Sequence, residues 1–325
     1  MKQLIAKIAE NRKVAEGFYR MRLESAYLAK NSEPGQFVEV KVCDGIEPLL
    51  RRPLGVHRIS KDGIGLLYEV VGKGTEVLSR RKAGEMLDVI GPLGNGFNIE
   101  RTTQCGAKRS LPGGDNAQRT TILVAGGVGV APLLALAESL VNSKRLTVDR
   151  KNIYVLIGAC RKAHLLCERD FDKLGVRVMV ATEDGSKGRK GLVTDLLREV
   201  VIASPRSSLR ANKVSEAISK KEIASAASRP RNDVATIYAC GPVGMLKTVA
   251  KLAHDARISC QVSLEERMAC GVGVCLGCPV KVRRLASLPV GQFKQANRQT
   301  GKPVNYTYKM VCNDGPVFNA EEIIW

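Results

Sequence analysis

Four cysteines constrain this chain more than any other feature. Cys270, Cys275 and Cys278 stand in MACGVGVCLGC with the spacing C-x4-C-x2-C, and Cys312 follows in YKMVCNDGPVF. Four soft thiolates around such a core have the spacing of a plant-type [2Fe–2S] site. A loop wrapped round a cluster needs residues that tolerate unusual φ and backbone N–H groups that can donate to sulfur, which Gly271, Gly273 and Gly277 provide. Structural zinc is the alternative, but it usually takes two C-x2-C pairs, and here Cys278 and Cys312 stand alone beyond the first. Cys43, Cys105, Cys160, Cys167 and Cys260 have no such spacing and read as small buried hydrophobes.

The 325 residues suffice for two domains or three small ones. Residues 1–98 read as short strands with turn punctuation, QFVEVKV (36–42) and GLLYEVVG (65–72) among them, which predicts a small antiparallel β-barrel. From about 120 the rhythm changes. TILVAGG, NIYVLIGA, VRVMVAT and ATIYACG are continuous apolar strands separated by helical patterns, so 99–257 reads as a doubly wound parallel sheet. Residues 258–325 form a third, short, Cys- and Gly-rich unit. Two stretches interrupt this plan, 204–232 and 281–302, the second placing an insertion at about 281–307 beside the cysteines. The N-terminus carries charges throughout and has no apolar h-region, so it is not read as a secretory signal. Ten cysteines without an export signal imply reduced thiols and a cytoplasmic protein.

Two further motifs carry chemistry. VAGGVGVAPLL (124–134) sets a Gly-rich turn between a strand and a helix, where backbone can approach a pyrophosphate at the helix N-terminus. YACGPVGM (238–245) ends a later strand with a thiol and a turn. Each is by itself as compatible with an ordinary βα turn. In the barrel, LLRRPLGVHRI (49–59) places Arg51 and Arg52 before Pro53, and GKGT (72–75) follows a strand; a guanidinium suits phosphate, though a solvated arginine pair is the plainer reading. His57 reads as structural. Arg161 either meets a 2′-phosphate or faces solvent, leaving NAD against NADP open.

In combination, RRPLG, GKGT, GGVGVAPL, CGPVGM, ACGVGVCLGC and VCNDGPVF resemble the ferredoxin-reductase-like electron-transfer subunits of heteromeric dihydroorotate dehydrogenase. The resemblance covers nearly the whole chain except the insertions. It implies FAD on Arg52, Pro53, Leu54 and Gly55, with Leu67, Tyr68, Glu69, Gly74 and Thr75. It implies NAD over Gly126, Gly127, Val128, Gly129, Ala131 and Pro132, with Cys240, Gly241 and Pro242 near the nicotinamide ring, Cys240 as a positioning candidate. It implies cluster ligation by Cys270, Cys275, Cys278 and Cys312. Electrons would pass from an FMN-containing catalytic subunit, in an assembly of two of each chain, through the cluster and FAD to NAD in pyrimidine biosynthesis. Three departures stand out: Gly55 where the family usually has Ser, 33 residues between Cys278 and Cys312, and the 204–232 insertion before the last strand of the nucleotide domain. Flavoprotein subunits of sulfide dehydrogenase or ferredoxin:NADP oxidoreductase complexes would share the same motifs.

The formal net charge of +19 raises a rival of another class, a basic nucleic-acid-binding metal protein. The charge is local, however. Residues 101–120 carry net +3, 204–232 net +5 and 281–302 net +6. The rest of the chain is only mildly basic, and aromatics at 4% poorly supply a base-stacking surface.

Overall fold

The protein is described here by a computed structural model covering residues 1–99, 120–143, 149–203, 235–283 and 305–325. The N-terminal part is a closed antiparallel barrel of β1 (Lys2–Ala15), β2 (Phe18–Glu24), β3 (Phe37–Val40), β4 (Arg52–Ile59), β5 (Gly63–Glu69) and β6 (Met86–Leu93), ordered β1-β2-β5-β4-β3-β6. Strand alternation sorts its residues. Val38 and Val40 of β3, Leu54 and Val56 of β4, and Ile64, Leu66 and Tyr68 of β5 fill the interior. Phe37 and Leu67 point outward, yet both are buried, because the rest of the protein covers that side of the barrel. Two short helices, α1 (Ala26–Asn31) and α2 (Lys73–Ser79), pack onto its core through Leu28 and Leu78.

The second layer is a seven-stranded sheet. Its strands are β7 (Thr120–Gly126), β8 (Ile153–Ala159), β9 (Arg177–Thr182), β10 (Arg189–Lys190), β11 (Ala235–Cys240), β12 (Ser259–Ser263) and β15 (Val317–Asn319), in the order β10-β9-β8-β7-β11-β12-β15. All neighbours pair in parallel except β12 with β15. Both faces are covered, as continuous apolar strands require. Leu123 and Ala125 pack against α3 (Val130–Asn142) and α4 (Glu168–Lys173), through Leu133, Leu134 and Phe171. Ile122 and Val124 pack against α5 (Val193–Ala203) and α6 (Val243–Asp255), through Leu197, Leu246 and Val249. The barrel and the doubly wound sheet are those expected from the sequence. A boundary at 257 is not: β12 lies beyond it and pairs residue for residue with β11, from Thr236–Ser259 to Cys240–Ser263. SCQVS is too short and too polar to announce a sheet strand.

The remaining elements are a two-stranded ribbon, β13 (Pro279–Arg283) with β14 (Tyr306–Met310), and a single turn, α7 (Val311–Asp314). Of the basic stretches, 204–232 lies outside the described residues, as does 101–120 apart from Thr120; only 281–283 of the third is described, inside β13. Among the described residues no helix is long and apolar enough to cross a membrane.

Strand β4 fastens barrel to sheet. Arg58 donates to Glu138 on α3 at 2.7 Å and to Asp170 on α4 at 3.1 Å. His57 is fully buried, its Nδ1 3.3 Å from the carbonyl of Ala131. A carbonyl only accepts, so Nδ1 carries the proton and Nε2 faces the Cys167 thiol at 4.0 Å. Burial, with the Arg58 charge adding, pushes the imidazole down to about 4. Unfolded His titrates near ~6.5, so between that value and about 4 the unfolded chain binds a proton that the folded chain does not. The stability tied to His57 is complete above that window and is lost as pH falls through it, by up to about 3 kcal/mol at ~1.4 kcal/mol per unit. Denaturant midpoints at pH 7 and pH 4.5 should therefore diverge in the native protein and converge in part in His57→Gln.

Candidate redox site

The parallel strands β7, β11 and β12 end side by side, with Ala125, Cys240 and Ser263 in register. Ligands of open α/β sheets bind outside this carboxyl edge. A turn of 3₁₀ helix over Gly127–Gly129 leads from β7 into α3, whose first N–H groups receive no side-chain cap. Those donors and the helix dipole favour an anion, and the space beside Gly127 is open. Gly129 is there for another reason. A Cβ at this position would lie 2.3 Å from the carbonyl oxygen of Cys240, so only glycine lets the two loops touch backbone to backbone. The segments Gly126–Pro132 and Cys240–Pro242, far apart in sequence, thus form one surface. Val128 is half-buried on it, while Ala131 and Pro132 are buried in the first turn of α3. Cys240 is buried, and burial pushes its thiol well above the ordinary value, so it stays protonated.

Opposite stands the outer face of the barrel. The two arginines of the RRP motif have separate roles. Arg51 is spent on β6, with Nη2 2.7 Å from Asp88 Oδ2 and Nη1 donating to the Asp88 carbonyl. Arg52 donates to the Leu50 carbonyl at 2.6 Å and lies across Gly74, where a Cβ would come within 2.5 Å of its guanidinium. Thr75 holds that turn, its hydroxyl donating to the Gly72 carbonyl at 3.1 Å and accepting from Val71 N–H at 3.0 Å. Pro53 and Gly55 are half-buried on β4, with open space beside Gly55. Leu54 and Tyr68 point the other way, into the barrel; Tyr68 stacks on Tyr19 and donates to Asn11 Oδ1 at 3.0 Å. Their side chains therefore face away from the cleft, which leaves only their backbone for contact there. Leu67 is shared with Ala131 and Cys240 in one apolar cluster, and Glu69 is exposed.

The cysteine loop runs from Leu264 to Cys278 without regular structure. Four backbone N–H groups converge on its sulfurs: Gly273 to Cys312 Sγ at 3.1 Å, Cys275 and Val272 to Cys270 Sγ at 3.4 and 3.5 Å, and Cys312 to Cys278 Sγ at 3.4 Å. Gly271, at φ +68°, makes the turn that aims them. Burial raises the Cys270 thiol, but the N–H groups of Cys275 and Val272 outweigh it and bring it down to about 6. Among the described residues no three His, Cys, Asp or Glu side chains gather closely enough for a single metal ion. The thiols lie within electrostatic reach of one another, Cys270 of Cys275, and Cys312 of both Cys278 and Cys270. Cys278 and Cys312 are buried and Cys275 is exposed. The segment past β6 is tied to the C-terminal part of the chain: Asn95 donates to the carbonyl of Asp314 in α7 at 3.0 Å, and the Gln261 amide on β12 exchanges hydrogen bonds with the Asn98 backbone at 2.9 Å.

Some residues escaped the sequence reading. Glu39 of β3 reaches the cysteine loop, and Glu265, just past β12, lies within electrostatic reach of Cys240 and Glu69. Neither belongs to a spacing motif. Arg161 is engaged by Glu16 at 3.4 Å and His164 at 3.2 Å. Among the cysteines read as buried hydrophobes, Cys160 is exposed beyond the end of β8, next to Glu183, Cys43 and Cys167 are half-buried, and Cys105 lies outside the described residues.

A barrel, a nucleotide-type sheet edge and a cysteine loop with sulfur-directed N–H groups define an NAD-linked oxidoreductase of the ferredoxin-reductase type that bears an iron–sulfur-binding segment. The oxidoreductase NAD-binding domain family matches residues 123–251, and the iron–sulfur cluster binding domain of dihydroorotate dehydrogenase B matches residues 265–287. The chain is 34% identical over 320 residues to the dihydroorotate dehydrogenase B (NAD(+)) electron transfer subunit of Caldanaerobacter subterraneus subsp. tengcongensis, covering 98% of each. It is 32% identical to that of Bacillus cereus (strain Q1), covering 98% of this chain and 96% of the relative. It belongs to the family of dihydroorotate dehydrogenase B electron transfer subunits. Among solved structures, it is similar to a chain from the NADH-dependent reduced ferredoxin-NADP oxidoreductase described for flavin-based electron bifurcation, with a TM-score of 0.68 and 27% identity over 99% of this chain and 90% of the other.

Proposed function

We propose that this chain passes electrons between a dihydroorotate-oxidising catalytic subunit and NAD, with FAD on the barrel's outer face and a [2Fe–2S] cluster on Cys270, Cys275, Cys278 and Cys312. The observation that carries this reading is the set of four N–H donors aimed at the cysteine sulfurs. Free thiols need no such donors; cluster-bound thiolates do. Four neighbouring thiols suit a two-iron centre, which takes four cysteine thiolates. Arg52 and the Gly72–Thr75 turn suit a flavin nucleotide's phosphate, with Pro53, Gly55, Leu67, Glu69 and the backbone of Leu54 and Tyr68 flanking it. The Gly126–Pro132 turn holds the NAD pyrophosphate, and Cys240, Gly241 and Pro242 shape the floor under the nicotinamide. A bound flavin supplies single-electron exchange with iron–sulfur and hydride exchange with nicotinamide. The chain's own residues contribute binding, orientation and exclusion of water. Cys240 remains a neutral thiol, and Gly55 leaves the neighbouring contact to backbone.

The partner carries FMN and assembles as two of each chain, in the cytoplasm, where the cysteines stay reduced. Val274 and Leu276, 80% and 66% exposed on either side of Cys275, form the apolar tip that meets it. Val274→Glu should weaken partner binding at least about tenfold, as for a truncated interface anchor, with iron content unchanged; titrating the catalytic subunit against a fixed amount of this chain measures it.

The deciding experiment has two arms. The purified chain should be yellow-brown, with flavin and iron–sulfur absorbance and about two irons and two sulfides per chain, the content of the named cluster. Combined with the FMN subunit, it should reduce NAD⁺ at the expense of dihydroorotate. A colourless protein defeats the cofactor assignment; a coloured one inert with dihydroorotate but active with a ferredoxin or sulfide partner defeats the partner assignment.

A further inference from the structure

Glu39 is the one carboxylate in the described core whose oxygens are both buried and both without a hydrogen-bond partner. Buried charges ordinarily find partners, and those that do not mark a site. Its position is specific. On β3, Glu39 stands opposite Pro53 of β4, and Phe37 stands opposite Gly55, so both side chains leave the barrel on the face assigned to flavin. Phe37 packs in one cluster with Cys278 and Cys312. Glu39 touches the other half of the loop: a Cβ on Gly271 would lie 2.6 Å from its Cγ and 2.8 Å from its Oε1. One strand, ~4.8 Å from its neighbour, thus separates the RPLG segment from the cysteine loop, and Glu39 is its charged member. Arg51 and Arg52 face it from the barrel side and Cys270 from the loop.

We propose that Glu39 is a positioning residue that seats the Gly271 turn and sets the reduction potential of the cluster, a role that rests on the cluster reading above. Reduction adds one electron to the cluster and breaks no bond. Burial pushes this carboxyl up to about 7, so at pH 8 it is mostly the anion, whose charge in a site of low dielectric opposes the incoming electron. Removing that charge favours the reduced cluster.

The test is an EPR-monitored redox titration of the whole chain at a fixed pH of 8, with iron, sulfide and flavin counted beside it. Glu39→Gln keeps the shape and removes the charge. Its reduced-to-oxidised cluster ratio at a given potential should rise about tenfold, a shift of roughly 59 mV for one electron. Glu39→Asp keeps the charge and should stay near the native potential. A Gln variant with full cofactor content and a potential within about twofold in ratio of the native chain overturns the proposal, as does an equal shift in Asp and Gln. If Gln cannot hold the cluster, Asp decides: retention at native potential supports a charge requirement, and loss in both reduces Glu39 to packing and overturns the proposal. A native chain without iron would instead defeat the cluster reading itself.

Discussion

Cys278→Ser should abolish partner-dependent NAD⁺ reduction, by at least about 100-fold, while NADH oxidation by an artificial dye should stay within about twofold of the native rate. The first figure is the upper end of what losing supporting contacts around a metal centre costs, and on the proposed assignment the ligand itself is lost. The two activities separate because the dye needs only the flavin and nicotinamide sites, whereas the partner needs the cluster. Serine is suited to this test. Cys278 is buried, its carbonyl accepts from Val311 N–H at 2.9 Å, and only its sulfur changes. A hard oxygen would replace a soft sulfur at the proposed ligand position. Iron and sulfide counts with EPR of the reduced protein give the reading. Full iron retention with unchanged partner activity would remove Cys278 from the ligand set.

Gly129→Ala has the opposite profile. Its added methyl meets the Cys240 carbonyl at 2.3 Å, the carbonyl carbon at 2.5 Å and the Gly241 nitrogen at 2.6 Å, all backbone atoms that cannot swing aside. The loops must part, at a cost of about 1–3 kcal/mol in stability. KM for NADH should rise at least about tenfold, ~1.4 kcal/mol of lost binding, with cluster and flavin contents intact. Gly244→Ala in α6 is the control, since the space beside it is open and alanine favours a helix. NADH titrations on the three proteins separate the effects; equal KM values in Gly129→Ala and the native chain would mean that the apposition of the two loops does not shape the nicotinamide site.

The parts of this architecture that were legible in the sequence are those written in local patterns. Continuous apolar runs announce β7, β8, β9 and β11 because helices cover both faces of the sheet, and the cysteine spacing announces the loop because ligand geometry fixes it. What local pattern cannot carry is pairing between distant segments. Nothing in SCQVS tells that Cys260 and Val262 pack into a sheet, and nothing in RRP tells which arginine Asp88 will claim. Tyr68 shows the same limit, since the parity of a strand becomes known only once its barrel closes. Glu39 was illegible for the same reason. In QFVEV it reads as an ordinary polar position on a half-exposed strand, and only the approach of Gly271, more than two hundred residues later, makes it a buried charge.

The antiparallel pairing of β15 with β12 has a consequence for how this protein can be taken apart. Gln261 pairs with Asn319 and Ser263 with Val317, so the cysteine loop leaves the sheet from one strand and returns as its neighbour. The iron–sulfur segment is therefore an excursion stitched into the rim of the nucleotide domain at both ends, unlike a bead strung after it. Cutting the chain at 258 would strip two strands from the sheet and bare the edge of β11, inviting edge-to-edge association. A ferredoxin-sized fragment cannot be lifted out intact, and a cluster-free reductase is better made by substituting a cysteine than by truncation.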